Sequence, residues 1–161
     1  VSSSASGMTL ETLQKGWKDP SKLILGHRFD PPHLIPLVEL TANEKTRPGI
    51  LDETKRFYHD IGKVPISIKK GMPGHVANRL HAAVWREAVS MAVEGVASVE
   101  DIEKAMWVGP RLRGAAVGLL YSFILASATA VCGGFARISG IPATDGGTIL
   151  ATRALMRLYF G

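Results

Sequence analysis

The sequence predicts an α/β portion over residues 1–72, followed by an all-helical portion over residues 73–161. Two observations carry this prediction. Strand-like apolar runs alternate with helical patterns up to residue 68, which is the order of a parallel α/β unit. Beyond Pro73-Gly74 the apolar residues recur only at helical spacing. A chain of 161 residues suits one domain or two small ones.

The first elements are short and are separated by polar turns. Val1 to Ser4 is predicted to be the end of a strand that runs into a loop at Ser6-Gly7. Thr9 to Lys15 is predicted as a helix capped by Thr9. Lys22 to Leu25 is predicted as a buried strand, because three consecutive apolar residues end it.

A histidine and a glutamate follow from neighbouring segments. His27 lies just after the apolar run, and Asp30-Pro31-Pro32 forbids a helix and imposes an extended turn. Leu37 to Thr41 is predicted as a second strand, and it carries Glu39. This pair fits a general base and the carboxylate that orients it. The alternative is a hydrogen-bonded loop histidine beside an ordinary surface glutamate.

A strand–helix–strand order closes the α/β portion. Thr46-Arg47-Pro48 predicts a helix start with the proline near its first position, and Gly62 ends that helix. Val64 to Ile68 is predicted as a short strand. The two strands that flank the helix are therefore expected to be parallel.

Three helices are predicted in the second portion. The first runs from Val76 to Val93. The second opens at Ser98 with a capping box, runs through Trp107 and is ended by Gly109-Pro110. The last is amphipathic, from Thr148 to Phe160.

Gly114 to Ala136 contains no charged residue. The run is long enough to span a bilayer, so a membrane anchor is one reading of it. Its glycine and serine content and the absence of a second such run favour a helix buried in a core or a subunit interface.

Composition limits the partners. The chain is 46% hydrophobic and 20% charged, which is typical of a soluble globular protein. Its net charge of +5 is spread along the sequence, so nucleic acid is not expected as a partner. Cys132 is the single cysteine, which excludes an intramolecular disulfide and favours the cytoplasm or another reducing compartment. It has no neighbours at metal-ligand spacing, so no metal is expected.

Three ordered motifs resemble the L-3-hydroxyacyl-CoA dehydrogenase family. They are a serine-rich segment at residues 2–7, a His-x-Phe-Asp-Pro motif at 27–31 followed by Leu-Val-Glu at 37–39, and Pro-Gly-His-Val-Ala-Asn-Arg at 73–79. The double proline and Ile-Pro-Leu at 35–37 resemble the branch that acts on CoA-free hydroxy acids, such as gulonate dehydrogenase. Beyond Val117 the chain departs from the family's pattern.

The resemblance implies a function and a set of site residues. It implies the second half of a Rossmann-type NAD-binding domain, then a helical domain for substrate and dimerisation. The cofactor would be NAD, and the substrate a 3-hydroxyacyl-CoA or a related 3-hydroxy acid. His27 would be the catalytic base and Glu39 its orienting carboxylate. Glu39→Gln would therefore lower kcat less than His27→Gln. Ser6 and Asn78 would hold the substrate oxygen.

Each of these assignments has a structural alternative. Ser6 would otherwise only cap the following helix, and Asn78 would only form the start of its own. The remaining histidines are predicted to be structural or on the surface: His33, His59, His75 and His81. His75 replaces a phenylalanine of the family motif, and Asp30 replaces an asparagine. Asp30 would add a negative charge beside the base and disfavour anionic substrates.

A Gly-x-Gly-x-x-Gly turn is not found in these residues. The sequence therefore predicts the C-terminal part of a longer enzyme, which by itself binds NAD poorly. The competing class is a non-catalytic helical or dimerisation module. The apolar helices predict a homodimer built on the C-terminal portion, with Leu119, Leu120, Phe123 and Ile124 near its centre.

Overall fold

The computed structural model describes residues 1–119 of the chain. The chain divides into two compact units, residues 1–89 and 90–161. The strands are β1 (Ser2–Ser3), β2 (Ile24–Arg28), β3 (Leu37–Thr41) and β4 (Val64–Ile68). The helices are α1 (Leu10–Lys15), α2 (Ile50–Asp60), α3 (Ala77–Val93), α4 (Val99–Met106) and α5 (Leu112–Val117).

The four strands form one sheet in the order β1-β2-β3-β4. β1 is parallel to β2, and β3 is parallel to β4 across the connecting helix α2. The predicted α/β unit followed by helices is confirmed. β2 and β3 are antiparallel, because the proline-rich segment between them reverses the chain. This reversal aligns His27 with Glu39 as direct partners across the strand pair.

The core lies on both faces of β2. On one face Leu23 and Leu25 pack with Leu10 of α1. Alternation along the strand turns Gly26 to the other face, where a Cβ would lie 3.0 Å from the Tyr58 hydroxyl of α2. The sheet is thus held between α1 and α2, and its central strands are fixed in register at the histidine and the glutamate.

Two element starts in the first unit differ from the prediction. β2 begins at Ile24 rather than Lys22, because Pro20–Lys22 form a 3₁₀ turn capped by the Asp19 side chain. α2 begins at Ile50, after Gly49 as N-cap, so Pro48 precedes the cap instead of opening the helix. Gly49 has a φ of 86°, which glycine adopts without a steric penalty.

The described part of the second unit confirms one predicted helix and corrects the end of another. Ser98 caps α4, and its hydroxyl oxygen accepts the N–H of Asp101. The predicted stop at Gly109-Pro110 is wrong, because a π turn over Trp107–Arg111 contains Pro110 and leads directly into α5. A π turn shifts the helical hydrogen bonds by one residue, which accommodates a residue without an N–H.

Several predictions fall on residues beyond those described. They concern most of the charge-free run (residues 120–136), Cys132, the helix Thr148–Phe160, and the interface residues Leu120, Phe123 and Ile124. Within residues 1–119, no helix has the length and apolar character needed to cross a membrane.

Candidate active site

His27 and Glu39 form a buried pair in the middle of the sheet. As direct partners on β2 and β3 they project from the same face. His27 Nδ1 lies 2.9 Å from Glu39 Oε2, and the residues are 5% and 0% exposed. A carboxylate can only accept here, so Nδ1 carries the proton of this bond, and in the neutral ring Nε2 keeps its lone pair.

The second oxygen of Glu39 binds the start of α3. Oε1 accepts the backbone N–H groups of Val76 at 2.9 Å and Ala77 at 3.0 Å. Such N–H groups have no partner inside the helix, and they lie at the positive end of its dipole. One buried carboxylate is therefore bonded to the imidazole and to two backbone donors, and it links the histidine to α3.

A tight turn brings this helix start to the carboxylate. The N–H of His75 donates to the Met72 carbonyl at 3.2 Å across Pro73-Gly74. Gly74 has a φ of 79°, as a type II turn requires after a proline. His75 also has a positive φ, 52°, a region in which histidine is enriched over most residues. The chain is thereby redirected so that the next two N–H groups point at Glu39.

The His75 side chain lies against the candidate base. Its ring stacks on His27 with the centroids 4.4 Å apart and an angle of 28° between the planes. Its Nε2 lies 3.4 Å from the carbonyl oxygen of Ala5, and the residue is 3% exposed. Sequence reasoning assigned His75 no part in the site. The sequence signal that could have pointed to His75 is its replacement of the phenylalanine of the family motif, whose other residues match.

Ser6 and Asn78, both predicted from the sequence, contact each other. Asn78 Nδ2 donates to Ser6 Oγ at 3.3 Å. The Ser6 oxygen is the acceptor in this bond, so its own O–H remains available to donate to a further group. Ser6 is not the cap of α1, because Thr9 accepts the N–H of Thr12 in that role.

These side chains border a cavity of about 430 Å³ in the first unit. That size is typical of small-molecule sites. The sequence prediction placed Ser6, His27 and Asn78 here, whereas Glu39 lies behind His27. It assigned no binding role to the other lining residues: Ser4, Arg28, Phe29, Asp30 and His81. His33 and His59 are exposed, as predicted.

Two carboxyl groups in the described part of the chain have a lowered pKa, and each lowering has a local structural cause. The pKa of Glu11 is lowered chiefly by its own backbone N–H at the start of α1. The pKa of Asp19 is lowered chiefly by the Ser21 hydroxyl in the 3₁₀ turn. Neither residue lines the cavity.

Among residues 1–119, no group of histidine, cysteine or acidic side chains is placed to hold a metal ion.

The cavity brings the chemical groups of the candidate site together. It offers a histidine with a free ring nitrogen and hydroxyl and amide donors around one small space. The glycine-rich turn that cradles a pyrophosphate does not occur in these 161 residues.

Models of two domains of one protein family match the chain. The NAD-binding domain of 3-hydroxyacyl-CoA dehydrogenase matches residues 1–71, and the C-terminal domain of the same enzyme matches residues 74–136. The matches meet near Pro73, where the sequence alone predicts the change from α/β to helical structure. NAD is accordingly the cofactor of the domain to which residues 1–71 correspond.

The curated relatives are about 40% identical to the chain over the aligned residues, and they are much longer than it. L-carnitine dehydrogenase of Streptomyces griseus is 42% identical over 126 residues, which cover 78% of this chain and 38% of that enzyme. A 3-hydroxyacyl-CoA dehydrogenase of Gibberella moniliformis is 40% identical over 119 residues, covering 73% and 37%. The chain thus spans well under half the length of these relatives.

Solved structures of dehydrogenases have the same fold. An NAD⁺-dependent dismutase, 5-formyl-3-hydroxy-2-methylpyridine 4-carboxylic acid 5-dehydrogenase, superposes with a TM-score of 0.78 at 28% identity, covering 90% of this chain and 47% of its own. (S)-3-Hydroxybutyryl-CoA dehydrogenase of Ralstonia eutropha gives 0.61 at 30% identity, covering 67% and 38%. The predicted Rossmann-type fold is confirmed.

Proposed function

Because the chain belongs to the 3-hydroxyacyl-CoA dehydrogenase family, we propose that it carries the catalytic pair of an NAD-dependent alcohol dehydrogenase. Its reaction is the oxidation of the 3-hydroxyl of a 3-hydroxyacyl-CoA or a related 3-hydroxy acid. The observation that carries this proposal is the buried His27–Glu39 bond of 2.9 Å at the wall of a cavity.

His27 acts as the base. Its Nε2 takes the hydroxyl proton, and Glu39 supports the positive charge that the ring then carries. NAD, when bound, would accept the hydride from the carbon atom that bears this hydroxyl group. Burial of the pair strengthens this support, because the carboxylate acts through a medium of low dielectric constant.

Ser6 and Asn78 hold the substrate oxygen. The Asn78 amide donates to Ser6 Oγ, which leaves the Ser6 O–H to donate into the cavity. Such donors stabilise the charge that develops as the alcohol becomes a carbonyl. Ser4 follows β1 at the carboxyl end of a parallel strand, where nucleotide ligands bind in such sheets, so it would help to hold the nicotinamide end of NAD.

Three residues of the cavity wall suit a small, doubly charged substrate. Arg28 can pair with a carboxylate. Phe29 and Asp30 together suit an ammonium group, through the ring face and the negative charge. Carnitine carries both groups, and enzymes named for L-carnitine are among the relatives. This argument favours a CoA-free hydroxy acid over the CoA thioester.

The test is NADH formation by the intact protein that contains this chain. L-Carnitine, gulonate and 3-hydroxybutyryl-CoA are compared as substrates, and we expect turnover of the first to exceed that of the others. His27→Gln should lower kcat by about 10²- to 10⁴-fold and leave KM nearly unchanged. His33→Gln, on the exposed part of the same loop, is the matched control and should retain full activity.

Three outcomes would contradict the proposal or its choice of substrate. No NADH from any of the three substrates would favour the competing class, a non-catalytic helical or dimerisation module. An unaltered kcat in His27→Gln would remove that residue from the mechanism. If only 3-hydroxybutyryl-CoA is turned over, the proposed dehydrogenase activity stands, but the proposed preference for a CoA-free substrate is refuted.

The domain division at residues 72 and 73 and the homodimer are part of this proposal. The family models meet at the predicted boundary, which supports the division. Exposed apolar side chains of α5, which lies within residues 111–161, support association there: Leu112 and Val117 are 65% and 39% exposed. Light scattering with and without residues 111–161 tests the dimer. We expect truncation to give a monomer, and the same dimer mass in both would refute its placement there.

A further inference from the structure

We propose that His75 is a positioning residue of this site, which acts through two separable groups. The face of its ring fixes the plane of the His27 ring, and its Nε2–H holds the loop that carries Ser6. The inference rests on the proposed function for its kinetic consequences, but the geometry that it asserts can be tested without turnover.

The ring face is the first group. A histidine held only at Nδ1 can still rock about that bond, and rocking moves Nε2 away from the hydroxyl that it must reach. The His75 ring covers His27 with the centroids 4.4 Å apart and the planes within 28°. Catalytic geometry has to be held to within about 10–20°, which packing against a buried ring provides.

The ring nitrogen is the second group. His75 Nε2 lies 3.4 Å from the carbonyl oxygen of Ala5, the residue before Ser6. A proton on Nε2 makes this a hydrogen bond from the α3 side of the site to the loop after β1. Asn78 bonds to Ser6 from the same side, so the loop is held at two adjacent residues. His75 thereby keeps the base and the oxygen donor in one frame.

The backbone of His75 supports a role of this kind. Its φ of 52° is uncommon for a residue with a side chain, and positions of this sort persist only where the surroundings determine them. Here the turn at Pro73-Gly74 and the two bonds that the next N–H groups donate to Glu39 fix it. The same conformation turns the ring inward, where it is 3% exposed.

Two substitutions in the intact protein distinguish the role of the ring face of His75 from the role of its Nε2–H. His75→Phe keeps a ring face and removes the N–H. It should hold kcat within about threefold of the wild type, while KM for the substrate rises about three- to tenfold through the loosened Ser6 loop. His75→Asn suits a positive φ and removes the ring. It should lower kcat about tenfold, the size of one lost ring pair. His33→Asn is the exposed control and should change neither constant.

A readout independent of activity is the ring proton of His27. In protein with ¹⁵N-labelled histidine, the Nδ1–H resonance should persist in the wild type and in His75→Phe, and should broaden or exchange in His75→Asn. Thermal melts show whether each variant is folded. If the asparagine variant does not fold, His75→Gly replaces it, since glycine adopts this φ freely.

The outcomes separate this proposal from the proposed function. If the wild type forms no NADH, the proposed function fails and the resonance alone decides the role of His75. An unchanged resonance and an unchanged kcat in the variant without the ring would overturn the positioning role. A loss of kcat in His75→Phe as large as that in His75→Asn would overturn the assignment to the ring face.

Discussion

The substitution Glu39→Gln tests how the carboxylate controls the base. Glutamine has the same size but offers one oxygen and one NH₂ group where glutamate offers two oxygens. Glu39 now accepts from three donors: the ring N–H of His27 and the backbone N–H groups of Val76 and Ala77. A glutamine can satisfy either the imidazole or the helix start, but not both with the present proton on Nδ1.

The energies of the two orientations decide the result. With the amide oxygen towards His27, two buried backbone N–H groups face an NH₂ group, at a cost of about 1–3 kcal/mol each. With the oxygen towards the helix, the imidazole has only to move its proton from Nδ1 to Nε2. The second orientation costs less, so it should prevail. Nε2 then carries a proton and cannot accept one from the substrate.

We therefore expect kcat to fall about 10³- to 10⁴-fold, the size of the effect in serine proteases when the same exchange imposes the wrong tautomer. The sequence alone predicts a smaller loss for Glu39→Gln than for His27→Gln, because it assigns the glutamate only orientation and charge support. The three bonds of the carboxylate bring the two expected losses close together.

The assay combines kinetics with the ¹⁵N shifts of His27 in the intact protein. The shifts report which ring nitrogen is protonated, and thermal melts report stability. Glu44→Gln, in an exposed loop, is the matched control and should behave as the wild type. A glutamine variant that keeps its proton on Nδ1 and a kcat within threefold of the wild type would refute the tautomer argument.

Three further predictions concern donors, packing and the cofactor. Asn78→Ala should lower kcat about 10²-fold with a small change in KM, because it removes an amide donor to the charge that develops on the substrate oxygen; steady-state kinetics showing an effect on KM alone would contradict this. Gly26→Ala should destabilise the fold by about 1–3 kcal/mol, since the new Cβ collides with Ser2 Oγ. Denaturant titration checks it, and the cost should shrink in a Ser2→Ala background; an equal cost there would place the strain elsewhere. Residues 1–161 alone should bind NAD poorly, and micromolar binding in calorimetry would show that the glycine-rich turn is dispensable.

Local signals predicted most of the fold. The bounds of β3 and β4 agree with the prediction, because each is a short apolar run between turn residues. The cap of α4 at Ser98 was also readable, since the hydroxyl and Asp101 stand at the required spacing. These features depend on a few neighbouring residues, and so a single sequence contains them.

The features that escaped prediction depend on backbone geometry or distant contacts. The stacking of His75 on His27 needs a positive φ at one residue and strands brought together from elsewhere in the chain. The passage of the helix through Pro110 depends on a π turn that no residue pattern marks. The attachment of α3 to Glu39 joins positions 37 residues apart. The resemblance supplied the residues of the site but not these contacts.

The burial of Glu39 explains why stability and catalysis depend on the same bonds. A carboxylate without solvent exposure is costly unless donors replace its water. Two of its three donors belong to a helix start that needs an acceptor, and the third belongs to the imidazole. The bonds that make the buried charge tolerable are therefore also those that set the tautomer of His27 and the position of α3, on which Asn78 lies. A substitution that removes both oxygens, such as Glu39→Ala, would therefore disturb the base and the helix that carries this oxygen donor together.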